Sequence, residues 1–255
     1  MKKISVMHFG GIGDTVWSLP TVLALLKRNN CDKADYYLKL NNPADFYNGH
    51  PLVDITMSYA WTIALKPLLE SQSYIDKVAP WSGETIDYDL TSFHSLFFNV
   101  LNVQITTMHL AAFNLEWDCT KPWLTGIGTD DRFKGKVIIN RTQRARMLGL
   151  SYNCFKDVPN TVFVGVPYEH ELFMKEAGFE LPGFSAPDFL SLACWLNSAR
   201  VVVGSQSFCQ AIAESMGINR ILEYYSFAPN GMSFTPNGIV ARSQADMTKA
   251  AESLK

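Results

Sequence analysis

Two stretches decide the fold: Gly10-Gly11-Ile12-Gly13-Asp14, after the run Ile4-Ser5-Val6-Met7, and Gly204-Ser205-Gln206-Ser207, after Val201-Val202-Val203. Each puts glycine and small polar residues directly behind a short apolar segment, as where a buried parallel strand turns into a helix. In a doubly wound α/β unit such a junction turns backbone N–H groups toward an anionic ligand. A third stretch, Asn140-Arg141-Thr142-Gln143-Arg144-Ala145-Arg146, follows Lys136-Val137-Ile138-Ile139. Together the three suggest a phosphorylated ligand held in a cleft between two domains.

Working outward, residues 3–9 read as the first strand and 15–27 as a helix, because Val16, Leu19, Leu23 and Leu26 recur at helical spacing. Pro20 is expected to kink or shorten that helix. Residues 35–40, 53–57 and 88–90 are further strand candidates, with helices over 62–69 and 108–116. The aromatics Phe93, Phe97, Phe98, Phe113 and Trp117 read as core filling. Residues 119–134, rich in Gly, Pro and Asp, suit a domain connection. Strands at 137–139, 161–164, 200–203 and 220–222 then alternate with helices at 168–177, 187–199 and 208–216. The expected architecture is α/β, with a Rossmann-like domain over 1–125, a second over 135–242, and a terminal helix over 243–255 that packs back across the first.

Composition narrows the function. With 255 residues, 47% of them hydrophobic and 13% aromatic, the chain can build a sizeable core. The formal charge of −2, from 22 basic and 24 acidic residues, offers nucleic acid no strong overall attraction. Five cysteines at 31, 119, 154, 194 and 209 lack CxxC spacing and read as reduced thiols of a cytoplasmic protein. No apolar run approaches the roughly 18 residues that span a bilayer.

Gly11 and Gly13 permit a sharp turn and close approach by a ligand. Asp14, at a helix start, either caps the helix or serves as general base toward a docked hydroxyl. His8 either faces the cleft or sits in the core. Thr142, Arg144 and Arg146 offer a hydroxyl and two cationic forks suited to a diphosphate. Arg141 either points away from them or replaces one. Gln206 and Ser207 close the 201–204 strand, with Ser207 placed to cap the next helix. Glu214 is either a ribose acceptor or a solvated helix residue. Glu169, His170 and Glu171 read as polar residues of a helix start. The five histidines show no zinc-ligand spacing, and neither a GxSxG elbow nor a GxxxxGK[ST] loop occurs.

The segments Gly11-Ile12-Gly13-Asp14-Thr15-Val16-Trp17-Ser18-Leu19-Pro20, Val137 to Thr142 and Asp188 to Leu222 resemble the heptosyltransferase-like glycosyltransferases, of GT-B fold. About half the chain is covered. The resemblance implies an acceptor-binding first domain, a nucleotide-sugar-binding second domain, and sugar transfer with inversion to a glycan or other hydroxyl-bearing acceptor. It implies Asp14 as base, Thr142 and the following arginines on the donor phosphates, Glu214 on the ribose, and no metal or other cofactor. The chain departs from the family where Gln206-Ser207-Phe208 and then Ala211 replace an acidic junction followed by histidine. The resemblance therefore does not extend to heptose and lipopolysaccharide as donor and acceptor. Two alternatives stand beside it: transfer to a modified DNA base, with Lys27, Arg28 and the arginine loop as a local basic patch, and a non-catalytic nucleotide-sugar-binding or scaffolding protein.

Overall fold

The computed structural model describes residues 2–43, 55–96 and 103–255. The chain divides into two compact units, Met1–Cys119 with Asp188–Leu190, and Thr120–Pro187 with Ser191–Lys255.

In the first unit, β1 (Lys3–His8) leads into α1 (Ile12–Asn29), followed by β2 (Lys33–Leu38), α2 (Tyr59–Glu70), β3 (Ile75–Pro80), β4 (Tyr88–Asp89) and α3 (Ile105–Ala112). The strands form one parallel sheet in the order β3-β2-β1-β4. The chain moves outward from β1 to β3, then returns to the other side of β1. Pro20 does not shorten α1, which runs through it to Asn29. Its buried face, Val16, Leu19, Val22 and Leu25, gives the helix tertiary support beyond its backbone ladder. Buried Ser18 Oγ lies 2.8 Å from the Tyr36 hydroxyl of β2, tying helix to sheet.

Of the expected strand over 53–57, residues 53 and 54 lie outside the described residues, and Ile55 forms an isolated bridge to Pro43. Phe97 and Phe98 also lie outside them. Phe93 is buried, whereas Phe113 and Trp117 are only half-buried.

The second unit contains β5 (Val137–Asn140), β6 (Thr161–Val164), α4 (Pro167–Ala177), β7 (Gly183–Phe184), α5 (Phe189–Ser198) from Ser191 onward, β8 (Val201–Gly204), α6 (Phe208–Ser215), β9 (Arg220–Glu223), β10 (Gly238–Ala241) and α7 (Gln244–Glu252). Its parallel sheet has the order β10-β9-β8-β5-β6-β7. Here too the chain reverses, leaving β5 outward to β7 and resuming on the opposite side at β8. Residues 120–134, read from sequence as a connection, belong to this unit, with Trp123, Leu124 and Phe133 buried. The terminal helix was expected to pack on the first domain. Instead Met247, Ala250, Ala251 and Leu254 join Val137, Phe163 and Val203 in the core of the second unit.

Among the described residues, no helix is long and apolar enough to cross a membrane.

Candidate functional site

In open α/β sheets, ligands bind beyond the carboxyl ends of the strands where the strand order reverses. In the second unit that point lies between β5 and β8. Asn140 and Gly204, their last residues, are register partners. A Cβ at Gly204 would collide with the Asn140 carbonyl, so only glycine fits. The Asn140 side chain spans the junction: Nδ2 donates to Val164 O (2.8 Å), and Oδ1 accepts from Ser207 Oγ (2.7 Å). Ser207 is the N-cap of α6 and its Oγ also accepts from Gln210 N (3.4 Å).

The arginine loop is tied to this junction. Thr142 N donates to Ser205 Oγ at 3.1 Å, and the two hydroxyls lie 3.2 Å apart. Arg144 is exposed, and Arg146 donates to Glu176 (2.7 Å) and Gln143 Oε1 (3.1 Å). Arg141 points inward, resolving the choice its sequence position left open. Its guanidinium grips Glu223 in a bidentate pair with both bonds at 3.0 Å. Burial opposes the Arg141 charge, but Glu223, with Tyr152 and Glu176, raises its pKa. Thr142, Arg144, Arg146, Gln206 and Ser207 are thus all carried by the two loops that leave this switch point.

The structure adds Glu169, in the first turn of α4. It accepts a backbone hydrogen bond from Gln143 and lies in the fields of Arg146 and Arg144; burial nevertheless raises its pKa. A half-buried carboxylate beside a cationic loop can accept hydrogen bonds from the hydroxyl groups of a ligand held there.

Glu214 is not solvated. It is buried near the far end of α6, ion-paired with Arg220, and its Oε1 accepts from the backbone of Phe234 (2.8 Å) and Thr235 (2.9 Å). It therefore secures the chain between β9 and β10. Gln206 Oε1 holds the same segment through Gly231 N (3.2 Å).

In the first unit the reversal falls between β1 and β4. Gly10 N donates to His8 Nδ1 (2.9 Å), and Gly11, the N-cap of α1, donates its N–H to Asp14 Oδ2 (3.0 Å). Asp14 is therefore oriented by the backbone of the turn it follows. The fold also gathers three of the five histidines. The rings of His8 and His109 lie 5.3 Å apart, and Phe93 packs on both His94 (4.0 Å) and His109 (4.3 Å).

The hydrogen bonds fix complementary tautomers. His8 accepts at Nδ1 and so carries its proton on Nε2; His109 donates from Nδ1 to Leu90 O (3.0 Å), leaving Nε2 an acceptor. Neither Nε2 has a hydrogen-bond partner among the described residues. Burial lowers both pKa values, His8 well below the usual range and His109 to about 3, with the other rings adding to the effect.

No protein-family model matches the sequence, and comparison with curated proteins finds no match. Solved structures do match. Heptosyltransferase WaaC of E. coli, solved with ADP-2-deoxy-2-fluoro heptose, superposes with a TM-score of 0.62 over 98% of each chain, at 10% identity.

The chain has the heptosyltransferase fold.

A glycosyl transferase family 9 protein from Veillonella parvula matches with a TM-score of 0.53 over 100% of this chain and 92% of its own, at 12% identity. The ADP-heptose lps heptosyltransferase II of E. coli matches at 0.51 over 100% and 97%, at 11% identity. The α/β, GT-B-like expectation, with two Rossmann-like units, therefore holds.

Proposed function

We propose that the protein is an inverting, metal-independent glycosyltransferase that uses a nucleoside diphosphate sugar. The observation that carries this reading is the cationic loop Thr142–Arg146 beside the capped start of α6, both at the strand-order reversal of the second unit. The fold shared with WaaC, itself solved with a sugar nucleotide, supports it.

In the proposed step the acceptor hydroxyl attacks the anomeric carbon. The bond from that carbon to the β-phosphate oxygen breaks, and its electron pair leaves with the nucleoside diphosphate. Asp14 takes the hydroxyl proton. Arg144 and Arg146, with the Thr142 hydroxyl, stabilise the charge growing on the diphosphate, the task a divalent cation would otherwise perform. Glu169 takes hydroxyls of the bound nucleotide, while Gln206 and Glu214 hold the wall formed between β9 and β10. His8 supports the Gly10 turn on which the acceptor rests, with Gly11 and Gly13 keeping its surface low.

A thermal-shift screen of nucleotide sugars and nucleoside diphosphates tests the reading, since a ligand specific to the folded state raises Tm by mass action. One sugar-nucleotide class is expected to raise it, and the matching nucleoside diphosphate to share the effect. No shift with any nucleotide would reject the reading.

A further inference from the structure

Beneath the arginine loop lies a buried ionic cluster that the proposed chemistry does not use. Glu223 ends β9 and is fully buried. Its carboxylate accepts four hydrogen bonds: Arg141 Nε and Nη2 at 3.0 Å each, the Tyr152 hydroxyl at 2.9 Å, and Met147 N at 2.7 Å. Arg141 immediately precedes the Thr142–Arg146 loop, and Met147 immediately follows it. One carboxylate therefore holds the chain on both sides of the loop.

Between these anchors the backbone is constrained further. Thr142 N is held by Ser205 Oγ, and Ala145 adopts a left-handed φ of 48°. Glu176 Oε2 accepts from both Arg141 Nη1 (3.1 Å) and Arg146 Nη1 (2.7 Å), so the guanidinium of Arg146 is oriented through the same cluster. Arg141 also lies over the Tyr152 ring, 4.8 Å from its centre. A buried ion pair contributes little net stability compared with a well-packed apolar pair of similar volume. An apolar pair, however, cannot fix a backbone N–H. The Glu223 carboxylate accepts from Arg141, Tyr152 and Met147 N at once, and an apolar pair would leave Met147 N without this acceptor.

We propose that Glu223 and Arg141 are positioning residues for anion binding, clamping the two ends of the Thr142–Arg146 loop so that its cationic groups meet a diphosphate already ordered. The inference rests on the functional reading above. Preordering matters because a mobile loop would lose its conformational freedom on binding and weaken affinity accordingly.

Calorimetry with inorganic pyrophosphate tests it, combined with amide exchange at Met147 and thermal unfolding. Glu223→Gln presents an NH2 group where the carboxylate accepts two donors. It is expected to speed Met147 exchange and to weaken pyrophosphate binding about 10-fold or more, at a temperature where the variant remains folded. Tyr152→Phe removes one hydrogen bond, and a smaller loss of affinity with faster Met147 exchange is expected. That variant decides the matter should Glu223→Gln fail to fold. Wild-type binding that depends on Arg146, together with undiminished binding in the folded variants, would overturn this inference alone. Absence of pyrophosphate binding by the wild type would overturn the functional reading and the inference with it.

Discussion

Asn140 and Gly204 end β5 and β8 side by side, with Gly204 so close that a Cβ would strike the Asn140 carbonyl oxygen. The strand-order reversal, the arginine loop and the cap of α6 all meet at this pair. Gly204→Ala is therefore expected to destabilise the protein by about 1–3 kcal/mol, because the obstructing atom belongs to a backbone that cannot rotate away. Urea unfolding checks this; unchanged stability would mean that β5 and β8 separate easily.

Arg144→Ala and Arg146→Ala should each weaken nucleoside diphosphate binding by about 10- to 100-fold, as expected for a lost charge-assisted hydrogen bond. Isothermal calorimetry reads the change. Equal affinity in both variants would remove the diphosphate from this loop.

The buried histidines make acid stability a test of the first unit. With folded pKa values below those of the unfolded chain, His8 and His109 stay neutral in the folded state while the unfolded state takes up protons from about pH 6.5 downward. Their contribution is thus present above that pH and is lost as pH falls toward the folded value of His109, about 3. The expected slope is up to about 1.4 kcal/mol per pH unit per ring. Denaturant unfolding between pH 7 and 4 measures it, and His109→Asn should flatten the dependence.

Much of the fold was legible because β1, β5, β6, β8 and β9 are short apolar runs followed by breaks. The strands that were missed, β3, β7 and β10, all lie at sheet edges. There only one neighbour is required, and β3 can carry Asp76 and Lys77 exposed within Ile75–Pro80. The two glycine junctions and the arginine loop were legible for the same local reason. The roles of the long-range partners were not. Arg141 meets Glu223 across 82 residues, and no local pattern joins His8 to His109. For Glu214 the sequence leaves a ribose acceptor and a solvated residue both open, because its offset from the apolar face suggests exposure; α6 is in fact buried all round.

Turnover should survive EDTA, since guanidinium groups are proposed to carry the leaving-group charge. Activity lost on chelation and restored only by Mg²⁺ or Mn²⁺ would contradict that division of labour.

The most direct test of the account is single-turnover release of nucleoside diphosphate from the sugar nucleotide found by thermal shift, with an acceptor panel, in wild type and Asp14→Asn. The variant's side-chain oxygen can still accept from Gly11 N, so folding and donor affinity should be retained. The account predicts release matched one to one by glycosylated acceptor in the wild type, and roughly 100-fold slower in the variant. Donor binding without transfer to any acceptor, or a folded Asp14→Asn protein that transfers at the wild-type rate, would contradict it.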